Sequence, residues 1–291
     1  MKNIIYILLF LPFVGLAQIS NFSELKGPYL GQKPPGTNPE IFAPGIISLP
    51  DIFEHSAAIF SPDKSEVYWS GKPNGARYYK IYFMKMINGR WTKRQAASFN
   101  SNYNNHLPVF SPDGNKLFFN TESDICFVER QGDDWSGVTK ISSVINSAVS
   151  DYLHTLMEDG SAYIRRYHPN EQLGKRSIIY ISRKINGNYT EPEKLDENIN
   201  SNDAEELAVF VAPDESYMII EATKDMRTGS LFISYKMKDG SWSERIKLPF
   251  ALGRFPSVSP DGKYLFYMTR DEGIYWVNTS FIEELKPKDL Y

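Results

Sequence analysis

The chain has 291 residues, of which 42% are hydrophobic and 23% charged, and its formal net charge is −3. That length suffices to bury a sizeable core as one domain. A slightly acidic chain without a basic run argues against a nucleic-acid partner, and the lone Cys126 excludes an internal disulfide.

The first signal in chain order is a leader. Residues 1–17 carry Lys2, an apolar stretch from Ile4 to Val14, and small residues at Gly15 and Ala17 ahead of Gln18. This is the pattern of a secretory signal peptide cleaved after Ala17. The apolar stretch is too short to span a bilayer and no other segment could, so no transmembrane segment is expected. The expectation is an exported protein, periplasmic, cell-surface or secreted. Residues 18–37, with Pro28, Pro34 and Pro35, read as an extended strap, and residues 38–291 as a single domain.

Beyond the strap the chain repeats itself. Ser61-Pro62-Asp63, Ser111-Pro112-Asp113-Gly114, Glu158-Asp159-Gly160, Ala212-Pro213-Asp214 and Ser259-Pro260-Asp261-Gly262 mark one turn in five units, with the aspartates 50, 46, 55 and 47 residues apart. A period of this size signals a solenoid, propeller or array. Each turn is preceded by a short apolar run, as in Leu107-Pro108-Val109-Phe110, and followed by an aromatic one, as in Leu117-Phe118-Phe119. A third run follows, such as Ile125-Cys126-Phe127-Val128, and then a turn with one aromatic, as in Asn88-Gly89-Arg90-Trp91 and Asp239-Gly240-Ser241-Trp242. Runs this short, apolar and bounded by turn residues are strands. Four strands per unit predict an all-β, five-bladed β-propeller of four-stranded blades.

The fifth unit ends without a fourth strand. An unpaired edge would expose backbone donors and acceptors, so a strand from elsewhere must close the ring. Pro39-Glu40-Ile41-Phe42 echoes Pro192-Glu193-Lys194-Leu195 in the third unit. Residues 38–49 are therefore expected to form the outer strand of the last blade.

The Ser259–Tyr267 stretch, its four partners and the tryptophan-led strand starts resemble the TolB-type, WD40-like propeller repeats of exported bacterial proteins. The resemblance covers roughly residues 38–280. It implies the fold, and a role as a binding platform, an assembly partner or occasionally an enzyme. Unit three departs from the pattern, with Met157-Glu158 in place of Ser-Pro.

Phosphate loops and the HExxH, GxSxG and CxxC patterns are absent from the sequence. No catalytic residue is assigned, and no metal or other cofactor is predicted. The turn aspartates are expected to accept hydrogen bonds from turn amides, Trp91, Trp135 and Trp242 to pack the blades, and Cys126 to be a small buried hydrophobe.

Propellers bind where their first strands converge on the central channel. Counting back eight residues from the turn glycine or its equivalent gives Ser56, His106, Tyr152, Leu207 and Arg254; counting back nine gives His55, Asn105, Asp151, Glu206 and Gly253. The candidate ligand-binding residues at the channel mouth are His55, His106, Asp151, Tyr152, Glu206 and Arg254. His154 lies in the same region. Arg165 is expected in the register of Trp69, Phe119, Ile220 and Tyr267, where a charge calls for a carboxylate partner or a ligand, an ion pair being the expectation.

Two readings follow. The first is a monomeric binding or assembly module with a protein partner or saccharide ligand at the channel mouth. The second is a carbohydrate-active enzyme, a polysaccharide lyase or glycoside hydrolase, working through Asp151 and Glu206.

Overall fold

A computed structural model describes residues 25–169, 177–224, 229–250, 252–270 and 272–288. The expected signal peptide and its cleavage site lie outside the described residues. Blade 1 is built from Ile52–Glu54, Glu66–Pro73, Lys80–Ile87 and Gln95–Ala96, with Ile59–Phe60 resuming the inner strand. Blade 2 is Asn105–Phe110, Lys116–Thr121, Asp124–Gln131 and Thr139–Lys140. Blade 3 is Ser150–Leu156, Ala162–Tyr167, Ser177–Ser182 and Glu193–Lys194, and blade 4 is Glu205–Val211, Tyr217–Thr223, Ser230–Tyr235 and Ile246–Lys247. Blade 5 is Arg254–Val258, Tyr264–Thr269 and Gly273–Asn278, closed by Glu40–Ile41 from the N-terminal side. The chain is thus a five-bladed β-propeller of four-stranded antiparallel blades.

The closing strand is shorter than the span 38–49. Only Glu40 and Ile41 pair, with Trp276 and Tyr275. Every outer strand is this short, and each is followed by one apolar residue whose amide bonds the third strand. Ala97, Ile141, Leu195 and Leu248 do this in blades 1–4, and Phe42 does it in blade 5 through Ile274 O at 2.7 Å. The remainder of the span turns back instead: Ser48 Oγ donates to Phe42 O and accepts from Ile274 N.

The segment is held by packing as much as by pairing. Phe42, Ile46, Ile47, Tyr29 and Leu30 fill the wedge between blades 5 and 1 against Phe60, Trp69, Phe266 and Trp276. The Phe42 ring centroid lies 5.0–6.0 Å from those of Phe266, Trp276 and Phe60. The strap reaches further: Leu25 O accepts from Trp91 N, and Gly27 O from Trp91 Nε1 at 2.8 Å, so residues before the closing strand cover the outer edge of blade 1.

The turn aspartates act as the sequence suggests. Asp63 Oδ1 accepts from Ser61 Oγ and Ser65 N, and Asp113 Oδ1 from Ser111 Oγ and Asn115 N, at 2.6–3.0 Å. Asp159, Asp214 and Asp261 bond their own turns in the same way. Trp91 and Trp242 are buried between blades, Trp135 is half-buried there, and Cys126 is buried among apolar neighbours.

Truncating Phe42→Ala should cost about 3–5 kcal/mol, the usual range for a buried aromatic. Because the loss falls at the closure, chemical denaturation should show one transition moved to lower denaturant for the whole ring. A midpoint equal to that of the parent protein would show that the wedge does not hold the ring shut.

Candidate functional site

The inner strands share a bulge, and its length decides which residues meet at the axis. In blade 2, His106 pairs with Asn120 and Val109 with Phe118, leaving Leu107 and Pro108 against one partner residue. Blade 5 repeats this with Phe255 and Pro256 between Arg254 and Ser257. In blade 1 the bulge holds one residue more: His55 N bonds Ser70 O, and pairing resumes only at Ile59. This extra residue shifts the register inferred from the turns. His55, not Ser56, joins His106, Tyr152, Leu207 and Arg254; Ser56 is buried and accepts from Ser70 N. Glu54 correspondingly joins Asn105, Asp151, Glu206 and Gly253.

Blade 3 carries the opposite change. Its turn closes from Met157 N to Ser161 O, one residue shorter than the Ser111 N to Lys116 O closure of blade 2. Ile164 therefore takes the position of Trp69, Phe119, Ile220 and Tyr267. Arg165 moves to that of Ser70, Asn120, Glu221 and Met268, paired with Tyr152. A one-residue slip moves a side chain to the other face of a strand, so the expected register of Arg165 is corrected here.

Asp151 and Glu206 do not line an open mouth. Both are fully buried. Asp151 accepts from Ser147 N and Oγ at 2.7 and 2.6 Å and pairs with Arg166 Nε at 2.7 Å. Glu206 accepts from Ser201 Oγ and pairs with Arg245 at 2.8 Å. Asn105 holds Ser101 and Tyr103 in the same way, and Glu54 holds Leu49 N. This position fastens the loop arriving from the previous blade. The residues just before it complete the fastening: Asn100, Asn146 and Asn200 each clasp both the N–H and the C=O of one third-strand residue, Ile81, Ile125 and Ile179. The pattern is visible in the sequence as Asn-Ser followed four or five residues later by Asn, Asp or Glu. The carboxylate pair on which the enzymatic reading depended is thus occupied in the scaffold.

The remaining candidates do converge. The rings of His55 and His106 lie 5.1 Å apart, those of His106 and Tyr152 6.0 Å, and those of His55 and Phe255 4.9 Å. Contacts in this sequence bring together blades 5, 1, 2 and 3. Tyr79, from the loop between the second and third strands of blade 1, joins them with its ring 4.4 Å from that of His55. It is fixed by Tyr79 N to Asn104 Oδ1 and Asn105 N to Tyr79 O. Deeper in the channel, Leu107, Ala208 and Phe255 touch, with Tyr152 against them. Residues of blades 2, 4 and 5 can meet only at the axis, so this cluster plugs the channel. Leu107 and Phe255 have φ of +55° and +51°, a left-handed conformation that costs a bulky residue energy and persists where the surroundings impose it. On the far side of the plug lies a cavity of about 160 Å³ that includes His154, Ser56 and Pro256.

The polar groups around the channel are incompletely satisfied. His55 Nδ1, His106 Nδ1, Asn120 Oδ1, Arg165 Nε and His154 Nε2 are buried without a hydrogen-bond partner. Among the described residues, no group of His, Cys, Asp or Glu is arranged to hold a metal ion. Arg254 Nε is bonded to Glu221 Oε1 at 2.8 Å, so this candidate cation is partly neutralised. Arg165, for which a carboxylate partner was expected, has none among the described residues; the ion pair of the Arg165-Arg166 couple belongs to Arg166. The Arg165 guanidinium instead lies over the Tyr152 ring, 4.0 Å from its centroid. Sequence reasoning thus missed Tyr79, Glu221 and the lumen position of Arg165.

The histidines are neutral at pH 7. Burial pushes His106 down to about 4, and the positive charge of Arg165 adds to it. Burial and then Arg165 lower His154 to about 3, and burial, followed by His106 and Arg254, lowers His55 well below the usual range. Burial raises the Glu54 carboxyl to about 7.

Two predictions concern stability. Below pH about 6.5 the unfolded chain binds protons at its histidines that the folded chain refuses, so stability is lost as the pH falls toward about 4. Glu54 acts with opposite sign between about 4.3 and 7, and one carboxyl does not offset three imidazoles. Urea midpoints at pH 7, 6 and 5 should therefore decline, and less steeply in His106→Phe; an unchanged slope in that variant would refute a buried neutral His106. Asp151→Ala should cost about 3–5 kcal/mol, because Arg166 is left buried without its counterion. A variant as stable as the parent would return Asp151 to the list of free mouth residues.

No protein-family profile matches the chain, and no curated protein matches it. Solved propellers do. A Dyadobacter fermentans protein of unknown function aligns with a TM-score of 0.52 at 12% identity, covering 84% of each chain. A protein assigned as TolB from Agrobacterium tumefaciens aligns with a TM-score of 0.48 at 17% identity, over 76% of this chain and 69% of its own. The periplasmic gluconolactonase of Pseudomonas aeruginosa aligns with a TM-score of 0.45 at 14% identity, over 74% and 78%. The similarity is one of fold.

Proposed function

We propose that the protein is an exported, monomeric binding propeller that takes a small polar ligand at the channel mouth formed by His55, His106, Tyr79, Tyr152 and Arg254. The observation that carries this reading is that five of the ten buried unpartnered side-chain polar atoms among the described residues belong to His55, His106, Asn120, His154 and Arg165 around one channel. Buried polar groups in folded proteins are almost always hydrogen-bonded, and each exception calls for an unseen water, ion or ligand. Several exceptions around one axis, beside a plug that blocks the channel, support a ligand site there. Aromatic faces with a few convergent polar groups are the usual composition of a small-molecule site.

Binding is favoured over catalysis because Asp151 and Glu206, the carboxylates available for acid–base work in these registers, are engaged in buried ion pairs. Export rests on the leader at residues 1–17. Among the described residues no helix is long and apolar enough to cross a membrane. The names TolB and periplasmic gluconolactonase borne by two structural neighbours accord with a role outside the cytoplasm.

The reading is tested with the mature chain in a thermal-shift panel of neutral sugars, acidic sugars and short oligosaccharides, run in parallel on His106→Phe. This substitution keeps an aromatic of similar size but removes both ring nitrogens. At least one compound should raise the melting temperature of the parent protein and lose most of that effect in the variant. A compound that stabilises both proteins equally binds elsewhere, and a panel with no stabilising member counts against a small-ligand mouth.

A further inference from the structure

The arginines near the channel are not all paired. Asp151 is matched by Arg166 and Glu206 by Arg245, each at 2.7–2.8 Å, and these pairs are closed within the scaffold. Arg254 and Glu221 are likewise bonded to each other, and Glu221 also accepts from Phe255 N at 3.0 Å. Arg165 has no ion pair among the described residues, and Glu221 reaches it only through its charge.

The setting of Arg165 also suits a ligand. Its guanidinium carbon lies over the Tyr152 ring, 4.0 Å from the centroid, which offsets part of the cost of desolvation. Its Nε is buried and finds no acceptor. A guanidinium edge is a planar fork that fits a carboxylate with two parallel hydrogen bonds. Around it stand neutral groups able to bond hydroxyls: the Nδ1 atoms of His55 and His106, the latter residue only 8% exposed. The rings of Tyr79 and Phe255 flank His55 and make this part of the mouth aromatic.

From this juxtaposition we propose that the ligand is an acidic saccharide, a sugar carrying a carboxylate, and that Arg165 receives the carboxylate and sets the preference for acid over neutral sugar. The inference rests on the mouth being the binding site, as proposed above.

The test is calorimetric titration of the mature chain with glucuronate, glucose and glucose 6-phosphate, for the parent protein, Arg165→Gln and Arg165→Lys. A hydrogen bond to a charged group corresponds to a loss of about 10–150-fold in affinity. Glucuronate should bind the parent protein more tightly than either other compound, weaken by that factor in Arg165→Gln and by less in Arg165→Lys, which keeps the charge but loses the fork. Glucose should be indifferent to both changes. Arg165→Gln should also melt at a higher temperature than the parent protein without ligand, because a buried cation without an ion pair has been removed; a scaffold arginine would show the reverse. Glucuronate binding that survives Arg165→Gln, tighter binding of the phosphate, or collapse of both variants would overturn the assignment. Sugar binding that depends on His106 and not on Arg165 would leave the mouth in place and remove only the acid preference, whereas no binding of any sugar would count against both.

Discussion

The structure depends on closing a ring whose last blade lacks an outer strand. A sheet edge left open at that point would expose unpaired backbone and a row of aromatics from blade 5. The N-terminal segment resolves both problems, pairing through Glu40 and Ile41 and packing through Phe42, Tyr29 and Leu30. It also gathers the turns on either side of the seam. Asp261 of blade 5 accepts from Tyr29 Oη at 2.7 Å and from Lys64 of blade 1 at 3.2 Å. Burial opposes ionisation of Asp261, but these bonds and that from Ser259 prevail and hold its carboxyl at about 2. One turn aspartate out of five has thus become the point where strap, first blade and last blade meet.

Fold was legible in the sequence for a physical reason. Strand alternation, aromatic runs and Asp-centred turns are local, and each of five units states them again. The closing strand was legible because Pro39-Glu40-Ile41-Phe42 repeats the chemistry of an ordinary outer strand, including the apolar residue that bonds the third strand. Its length was not, since two paired residues followed by a return look much like a longer strand on paper. The site suffered from the same weakness more severely. Counting from the turns assumes that bulge and turn lengths are constant, and blade 1 has one residue more in its bulge while blade 3 has one fewer in its turn. Each slip exchanges a lumen residue for a blade-face residue, which is why Ser56 was exchanged with His55 and why Arg165 was placed among apolar residues.

The carboxylates teach a different lesson. Asp151 and Glu206 stood out because they vary while their neighbours repeat, yet the variation is within one role. Asn105, Asp151, Glu206 and Glu54 all fasten the loop before their strand, and any acceptor of suitable length suffices. The preceding Asn-Ser pairs carried the signal that distinguishes this role from chemistry: a serine four or five residues upstream of an acid, in unit after unit, is a partner awaiting a hydrogen bond. Ser147 and Ser201 are those partners.

Arg166, Arg245 and Arg254 each have a carboxylate within 2.7–2.8 Å. Arg165, like Arg94 over the Tyr82 ring of blade 1, has no ion pair among the described residues. What sets Arg165 apart is its place beside the left-handed Leu107 and Phe255 that narrow the channel. Unpaired charge and strained backbone both cost stability, and a fold under selection for stability alone would shed them. Both gather around Tyr152, which pairs with Arg165 and packs against Leu107 and Phe255. On the proposed reading, a ligand admitted at the mouth would meet the plug with its charged end at Arg165.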